Sequence, residues 1–396
     1  MNSSFFENNR QTLLERTKAD LIVIAGNVAM QRSNDMAYPF QQESNFWYLT
    51  GINEADWWMI LEPHKTTLVA PDIDETHRIF DGGMSTETAI SISGADEVLT
   101  NTAGEALLLK LDILETVYSL GDDPHEDHYD FTLNPGQVEM YDHLQDVFVE
   151  VKDCRAILSR LRAIKQPEEI TAIKKAIALT VDAFLAVRQS FSDYSNEYEI
   201  EATFSHHFRS HGATGHAYDP IVAGGPNACT LHYIKNDSLL RDGDLILLDV
   251  GASVDGYAAD ISRTYAKGVI SDRYTQVHLE VEKAHEKIIS LLKPGLIVKE
   301  YMTQVDIIMK QALTNLGLLK DEKDYRIYFP HSISHGLGID VHDSLGNPDM
   351  FKPGMVLTVE PGIYILEEGI GVRIEDDILI TEFGHDNLSE MLPTSL

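Results

Sequence analysis

Short apolar runs alternate with turn residues along the first part of the chain, and their lengths are those of strands. Residues 21–25, 59–61 and 67–70, the last closed by Pro71, read as buried strands. Helical stretches such as 5–17 and 103–114 are interleaved with them, so the pattern predicts an α/β domain. A boundary near 160–166 separates domains of 1–160 and 161–396. Pro167 followed by Glu168 and Glu169 starts a helix, since proline fits the first turn and the acids face the positive end of the dipole. That helix runs to about Ser190, with Ile170, Ile173, Ile177 and Phe184 on one side. Helices at 197–211, 274–292 and 298–316 follow, stopped by Gly212, Pro294 and Gly317. The remainder is strand and turn, which predicts an α+β domain with a large antiparallel sheet.

Composition narrows the setting. At 396 residues two domains are the default. Acidic residues outnumber basic ones 63 to 31, and a net charge of -32 repels polyanions, which argues against nucleic acid and anionic membrane as partners. Most of that acid reads as solvated surface. Two cysteines, Cys154 and Cys229, make no disulfide framework and suit a reducing compartment. Residues 1–18 are polar, without the apolar core of a signal peptide, and the run 21–25 is too short to span a bilayer. A soluble, cytoplasmic protein is expected. No glycine loop suited to phosphate follows any early strand, so nucleotide binding has no support.

A few carboxylates need their own explanation. Residues 245–250 form an apolar strand that carries Asp249, and 257–264 form a second one that carries Asp260, with Asp255-Gly256 as the turn between them. On that hairpin the two aspartates are diagonal neighbours about 7–8 Å apart at the backbone, near enough to share one ion. Strands 355–360 and 372–380, folded about Glu367 and Glu368, place Glu360 opposite Glu375. Four converging acids repel one another unless protons or cations lie between them, and hard oxygen ligands suit a divalent metal. The segment His331-Ser-Ile-Ser-His335-Gly-Leu-Gly-Ile-Asp-Val-His342 offers imidazole. His335 stands out because Gly336 and Gly338 let the backbone pass close to a site. Other histidines, including His64, His77, His125, His128, His143, His278, His285 and His385, read as surface or satisfied core residues. His206, His207 and His211 read as an exposed helix face.

The stretches Asp249–Thr264, His331–Asp343, Val359-Glu-Pro-Gly-Ile-Tyr364 and Gly371-Val-Arg-Ile-Glu-Asp-Asp resemble the family of methionine aminopeptidase, aminopeptidase P, prolidase and creatinase, the pita-bread fold. Asn45-Phe-Trp-Tyr-Leu-Thr-Gly-Ile-Asn-Glu54 is similar to the leading domain of the aminopeptidase P type, and Asn227-Ala-Cys-Thr-Leu-His232-Tyr to the family's substrate-side histidine segment. The resemblance implies two divalent ions, most commonly Mn2+, with Co2+, Zn2+ or Fe2+ as alternatives. It implies that Asp260 and Glu375 bridge the ions, that Asp249 completes one site, and that His335 and Glu360 complete the other. Glu360 then shuttles a proton, His232 and His342 hold the substrate carbonyl, His331 shapes a proline pocket, and Tyr364 and Arg373 support the ligands. The activity implied is release of the N-terminal residue from Xaa-Pro peptides, by a homodimer or homotetramer. The alternatives are a prolidase restricted to dipeptides and a non-catalytic binding protein on the same fold.

Overall fold

The computed structural model describes residues 1–121 and 132–396, so His125 and His128 lie outside the described residues. The chain forms two compact units, Met1–Ser159 and Arg160–Leu396.

The first unit is built on a six-stranded sheet in the order Glu97–Thr100, Lys65–Ala70, Trp58–Glu62, Ile22–Ala25, Thr116–Ser119, Glu150–Asp153. Trp58–Glu62 runs antiparallel to both of its neighbours, and the remaining pairs are parallel. Leu21, Val23, Ile60, Val69 and Val117 supply a core that also takes in Leu144 from the helix Pro135–Val147. The helix Ser3–Thr17 buries Phe5 and Phe6, which meet Tyr48 and Trp47 edge-on at 6.0 and 5.8 Å, so these aromatics act in packing. The helix expected over 103–114 is shorter: it spans Asn101–Leu108, and a separate 3-10 turn covers Asp112–Leu114. Leu108 is buried while Leu109 and Ile113 face solvent, so little apolar contact beyond that of Leu111 would hold a continued helix. The chain turns out through Glu115, at φ +61°, into Thr116–Ser119.

In the second unit Pro167 occupies the first turn of the helix Pro167–Gln189, and the Glu169 carboxylate accepts the N–H of Gln166 at 2.9 Å. Phe184 of this helix packs on Phe204 of Glu197–Ser210, with ring centroids 4.9 Å apart. Two further helices, Asp272–Ile289 and Val298–Asn315, cover an apolar core that includes Val277, Val281, Val305, Met309, Leu357, Ile363 and Ile378. The expected large sheet is laid down as a series of antiparallel ladders. Ile221–Gly224, Leu245–Val250 and Ile261–Ala266 make one; Val356–Val359, Asp376–Ile380 and His385–Asn387 another; Gly362–Ile365 with Ile370–Arg373 a third; and Gly215–His216, Ala252–Val254 and Tyr257–Ala258 a fourth. A bridge between Ser262 and Glu375 links the first two. Among the described residues no helix is long and apolar enough to cross a membrane, and Cys154 and Cys229 are free thiols.

Candidate metal centre

Two interrupted hairpins deliver the carboxylates. Asp249 pairs in register with Ser262, which makes Asp260 its diagonal neighbour. The single strand expected over 257–264 is broken at Ala259 and Asp260. Tyr257–Ala258 folds back on Ala252–Val254 around Asp255 and Gly256, whose φ angles of 53° and 83° are those a two-residue turn needs. Ile261–Ala266 then returns along Leu245–Val250. Asp260 sits in the gap, and its N–H donates to Asp377 Oδ2 at 3.1 Å instead of to a ladder partner.

The second hairpin is broken in the same way. Its register, Val359 with Asp376 and Gly362 with Arg373, sets Glu360 across from Glu375. Neither residue bonds to the other through the backbone. Pro361 follows Glu360 and has no N–H; the Glu360 N–H goes to Ile333 O and the Glu375 N–H to Ser262 O, each at 3.0 Å. The strand expected as 355–360 is Val356–Val359, ending just before Glu360, and the one expected as 372–380 is split around Glu375 into Ile370–Arg373 and Asp376–Ile380.

These breaks bring the side chains together. Ligand atoms of Asp260, His335 and Glu375 lie within 4.8 Å of one another. His335 Nε2 is 3.4 Å from Asp260 Oδ2 and 3.6 Å from Glu360 Oε1. Arg373 Nη2 donates to Asp249 Oδ2 at 2.5 Å, and its Nε donates to Ser262 Oγ, which donates in turn to Glu375 Oε2 at 2.7 Å. Arg373 therefore holds Asp249 directly and reaches Glu375 only through Ser262. Its Nη1 donates to the Tyr364 hydroxyl at 2.9 Å, and His331 Nε2 is 3.0 Å from the same oxygen. A small cavity of about 80 Å3 is lined by nine of the ten anticipated side chains, with His232 and His342 among them; Tyr364 lies outside the lining, against His331 and Arg373.

The electrostatics follow from burial and crowding. Burial, then repulsion from Asp260 and Asp249, pushes the Glu360 carboxyl up to about 7, although His335 and Arg373 oppose the shift. Burial and the same acids push Glu375 well above the usual carboxylate range, and burial raises Asp249 despite Arg373. Burial opposes a charge on His335, yet the hydrogen bond and charge of Asp260 and the charge of Glu360 outweigh it and raise the imidazole to about 9. Burial and the Arg373 charge depress His331 to about 3, which keeps it neutral. Three buried acids and the half-buried Glu360 thus face Arg373 and the His335 imidazole. An oxygen-rich donor set with a single nitrogen and an excess of negative charge fits hard divalent cations.

Several residues at the centre carried no signal in the sequence. Tyr218 places its hydroxyl 2.6 Å from Asp249 Oδ1 and 2.7 Å from Asp260 Oδ1, from a segment without periodicity. Ser262 and Asp377 are the other two. Gly336 and Gly338 make room for Asp343 rather than for the site: a Cβ would lie 2.4 Å from its carbonyl oxygen at 336 and 1.9 Å from its Oδ2 at 338. A larger cavity, of about 950 Å3, lies in the first unit, but among the described residues no cluster of buried acids and histidines converges there. Cavity size and chemistry disagree, and the chemistry locates the site.

The sequence profile of metallopeptidase family M24 matches residues 171–382, and that of the aminopeptidase P N-terminal domain matches residues 6–116. The chain belongs to metallopeptidase family M24 and is a hydrolytic metallopeptidase of the pita-bread fold with an α/β leading domain. The Xaa-Pro aminopeptidase of Haemophilus influenzae is 34% identical over 417 residues, covering 99% of this chain and 95% of that protein. Xaa-Pro aminopeptidase 3 of Homo sapiens is 33% identical, covering 91% and 76%. Aminopeptidase P from E. coli with the inhibitor Pro-Leu superposes with a TM-score of 0.88 at 32% identity, over 100% of this chain and 96% of that one. The zinc-substituted E. coli enzyme in complex with product superposes with a TM-score of 0.85 at 31% identity, over the same shares.

Proposed function

We propose that the chain is a Xaa-Pro aminopeptidase, removing the first residue from peptides whose second residue is proline. The convergence of Asp249, Asp260, His335, Glu360 and Glu375 in one buried cluster carries the reading, because that donor set needs cations to be tolerable. Asp249 would hold one ion and His335 with Glu360 the other, while Asp260 and Glu375 would serve both. Two such ions, Mn2+ in our reading, would when bound supply Lewis acidity and lower the pKa of water towards neutrality.

The protein's own groups do the rest. Glu360, at the cavity beside His335, would accept a proton from the attacking water and pass it to the prolyl nitrogen as the bond breaks. His232 and His342, at the exposed rim, donate hydrogen bonds to the scissile carbonyl as its oxygen gains charge. His331, neutral and held by Tyr364, offers a flat wall to the proline ring. Arg373 fixes Asp249 and, through Ser262, Glu375. The acidic cluster attracts a free amino terminus, which favours exopeptidase action.

We place the boundary between an aminopeptidase P-type domain and the catalytic domain at about residue 160. The free cysteines and the charge of -32 support a cytoplasmic enzyme without nucleic-acid or membrane partners, and we propose a homodimer or homotetramer. Comparison of Ala-Pro-Ala with Ala-Pro under manganese tests the substrate class. Cleavage of the tripeptide at least tenfold faster is expected, and hydrolysis of the dipeptide alone would make the enzyme a prolidase.

A further inference from the structure

His342 lines the cavity with an exposed side chain, and among the described residues no side chain hydrogen-bonds to its ring. The ring meets that of His335 edge-on at 4.4 Å. The ring's position is therefore set by the backbone that carries it, and that backbone has no regular secondary structure. It is instead a closed loop: the Asp343 N–H donates to Gly336 O at 2.9 Å, and the Ala258 N–H donates to Gly338 O at 2.8 Å.

The loop is clamped from behind by a segment that precedes the helix Pro167–Gln189. Arg162 Nη2 donates to Asp340 Oδ2 at 2.6 Å and to Asp343 Oδ1 at 2.8 Å, so a single guanidinium nitrogen spans the stretch containing Val341 and His342. Lys165 Nζ lies 3.4 Å from the other oxygen of Asp343, and the Ser344 N–H donates to Asp343 Oδ1 at 2.7 Å. The Arg162 side chain is 7% exposed, that of Lys165 0% and that of Asp343 2%, so these ion pairs are shielded from water and salt. Burial of three charged groups is costly unless the geometry is well satisfied. Two salt bridges meeting at the neck of a loop that bears a site residue provide that geometry, and Gly338 keeps the space for Asp343 clear.

We propose that Arg162 is a positioning residue for the hydrolytic reaction: through Asp340 and Asp343 it fixes the backbone that presents His342 to the substrate carbonyl. This rests on the reading of His342 as a carbonyl-binding group. Arg162 acts through Asp340 and Asp343, and Lys165 assists it at Asp343.

The test is a mutant cycle on the manganese-loaded enzyme with an Xaa-Pro-Xaa peptide. It reads kcat and KM together with bound metal per chain and the thermal midpoint. Arg162→Ala should lower kcat/KM by about 10- to 100-fold, mainly through kcat, because small misplacements of a catalytic group are that costly. Metal content should be unchanged. In a His342→Ala background the same substitution should change kcat/KM by less than about twofold, since a ring that is absent cannot be misplaced. Arg162→Lys should recover only part of the loss, as an ammonium lacks the planar fork. An equal loss with and without His342, or a loss matched by loss of metal, overturns the proposal. Should Arg162→Ala fold poorly, Asp340→Ala decides, because it cuts one arm of the clamp at a side chain 40% exposed. A drop in kcat that depends on His342 supports the clamp, and an unchanged kcat overturns it. A wild-type enzyme without Xaa-Pro activity would instead sink the underlying reading of the site, and a fully active His342→Ala would sink both.

Discussion

Replacing Glu360 with glutamine should stabilise the metal-free protein at alkaline pH and weaken the metal-loaded one. The side chain is 16% exposed, and burial with the repulsion of Asp260 and Asp249 moves its carboxyl from 4.5 to about 7. Between those values the unfolded chain has released a proton that the folded chain keeps. Stability from this group is therefore full below 4.5 and is lost as the pH rises through about 7. The displacement corresponds to roughly 3 kcal/mol at pH 8, a large part of a typical domain's stability of about 5–15 kcal/mol. Glu360→Gln keeps the shape and removes the charge, so the chelated variant should gain up to about 3 kcal/mol over wild type at pH 8 and nothing near pH 4.5. Some slope persists, because the same burial and crowding raise Asp249 and Glu375. Added divalent metal should reverse the order, since the variant lacks a ligand. Urea unfolding of both proteins at pH 5 and pH 8, chelated and metal-loaded, measures all four differences. A chelated Glu360→Gln protein less stable than wild type at pH 8 would refute the reasoning, for it would mean that the acids are neutralised by protein cations.

Two further outcomes are expected. Tyr218→Phe removes the hydroxyl shared by Asp249 and Asp260 and should weaken metal binding about 10- to 100-fold in a calorimetric titration, whereas unchanged affinity would show that the hydroxyl does not orient the ligands. Glu169, 1% exposed and raised by burial to about 7, should contribute stability that is present below 4.5 and lost as the pH rises through about 7; Glu169→Gln should reduce the fall in thermal midpoint between pH 5 and pH 8.

The carboxylates were legible in the sequence because hairpins obey arithmetic: a turn at Asp255-Gly256 and a fold about Glu367 and Glu368 fix which residues face each other. The periodic helices were legible for the same reason. Local signals say nothing about groups that meet from far along the chain. Ser262 reaches Glu375 across 113 residues, Asp260 reaches Asp377 across 117, and Arg162 reaches Asp343 across 181. The breaks at Asp260 and Glu375 were hidden too, because strand-forming residues lie on both sides of each acid while the backbone bonds go elsewhere. Gly336 and Gly338 drew notice for their flexibility, yet the constraint they answer to is the buried Asp343.

The central claim is that the acid cluster exists to hold cations that drive hydrolysis. Bound metal per chain, measured after chelation and stepwise return of manganese alongside Xaa-Pro peptide cleavage, tests it most directly. Activity should vanish on chelation and rise with occupancy towards two ions per chain, whereas full cleavage by metal-free protein, or a chain that binds no metal, would contradict it.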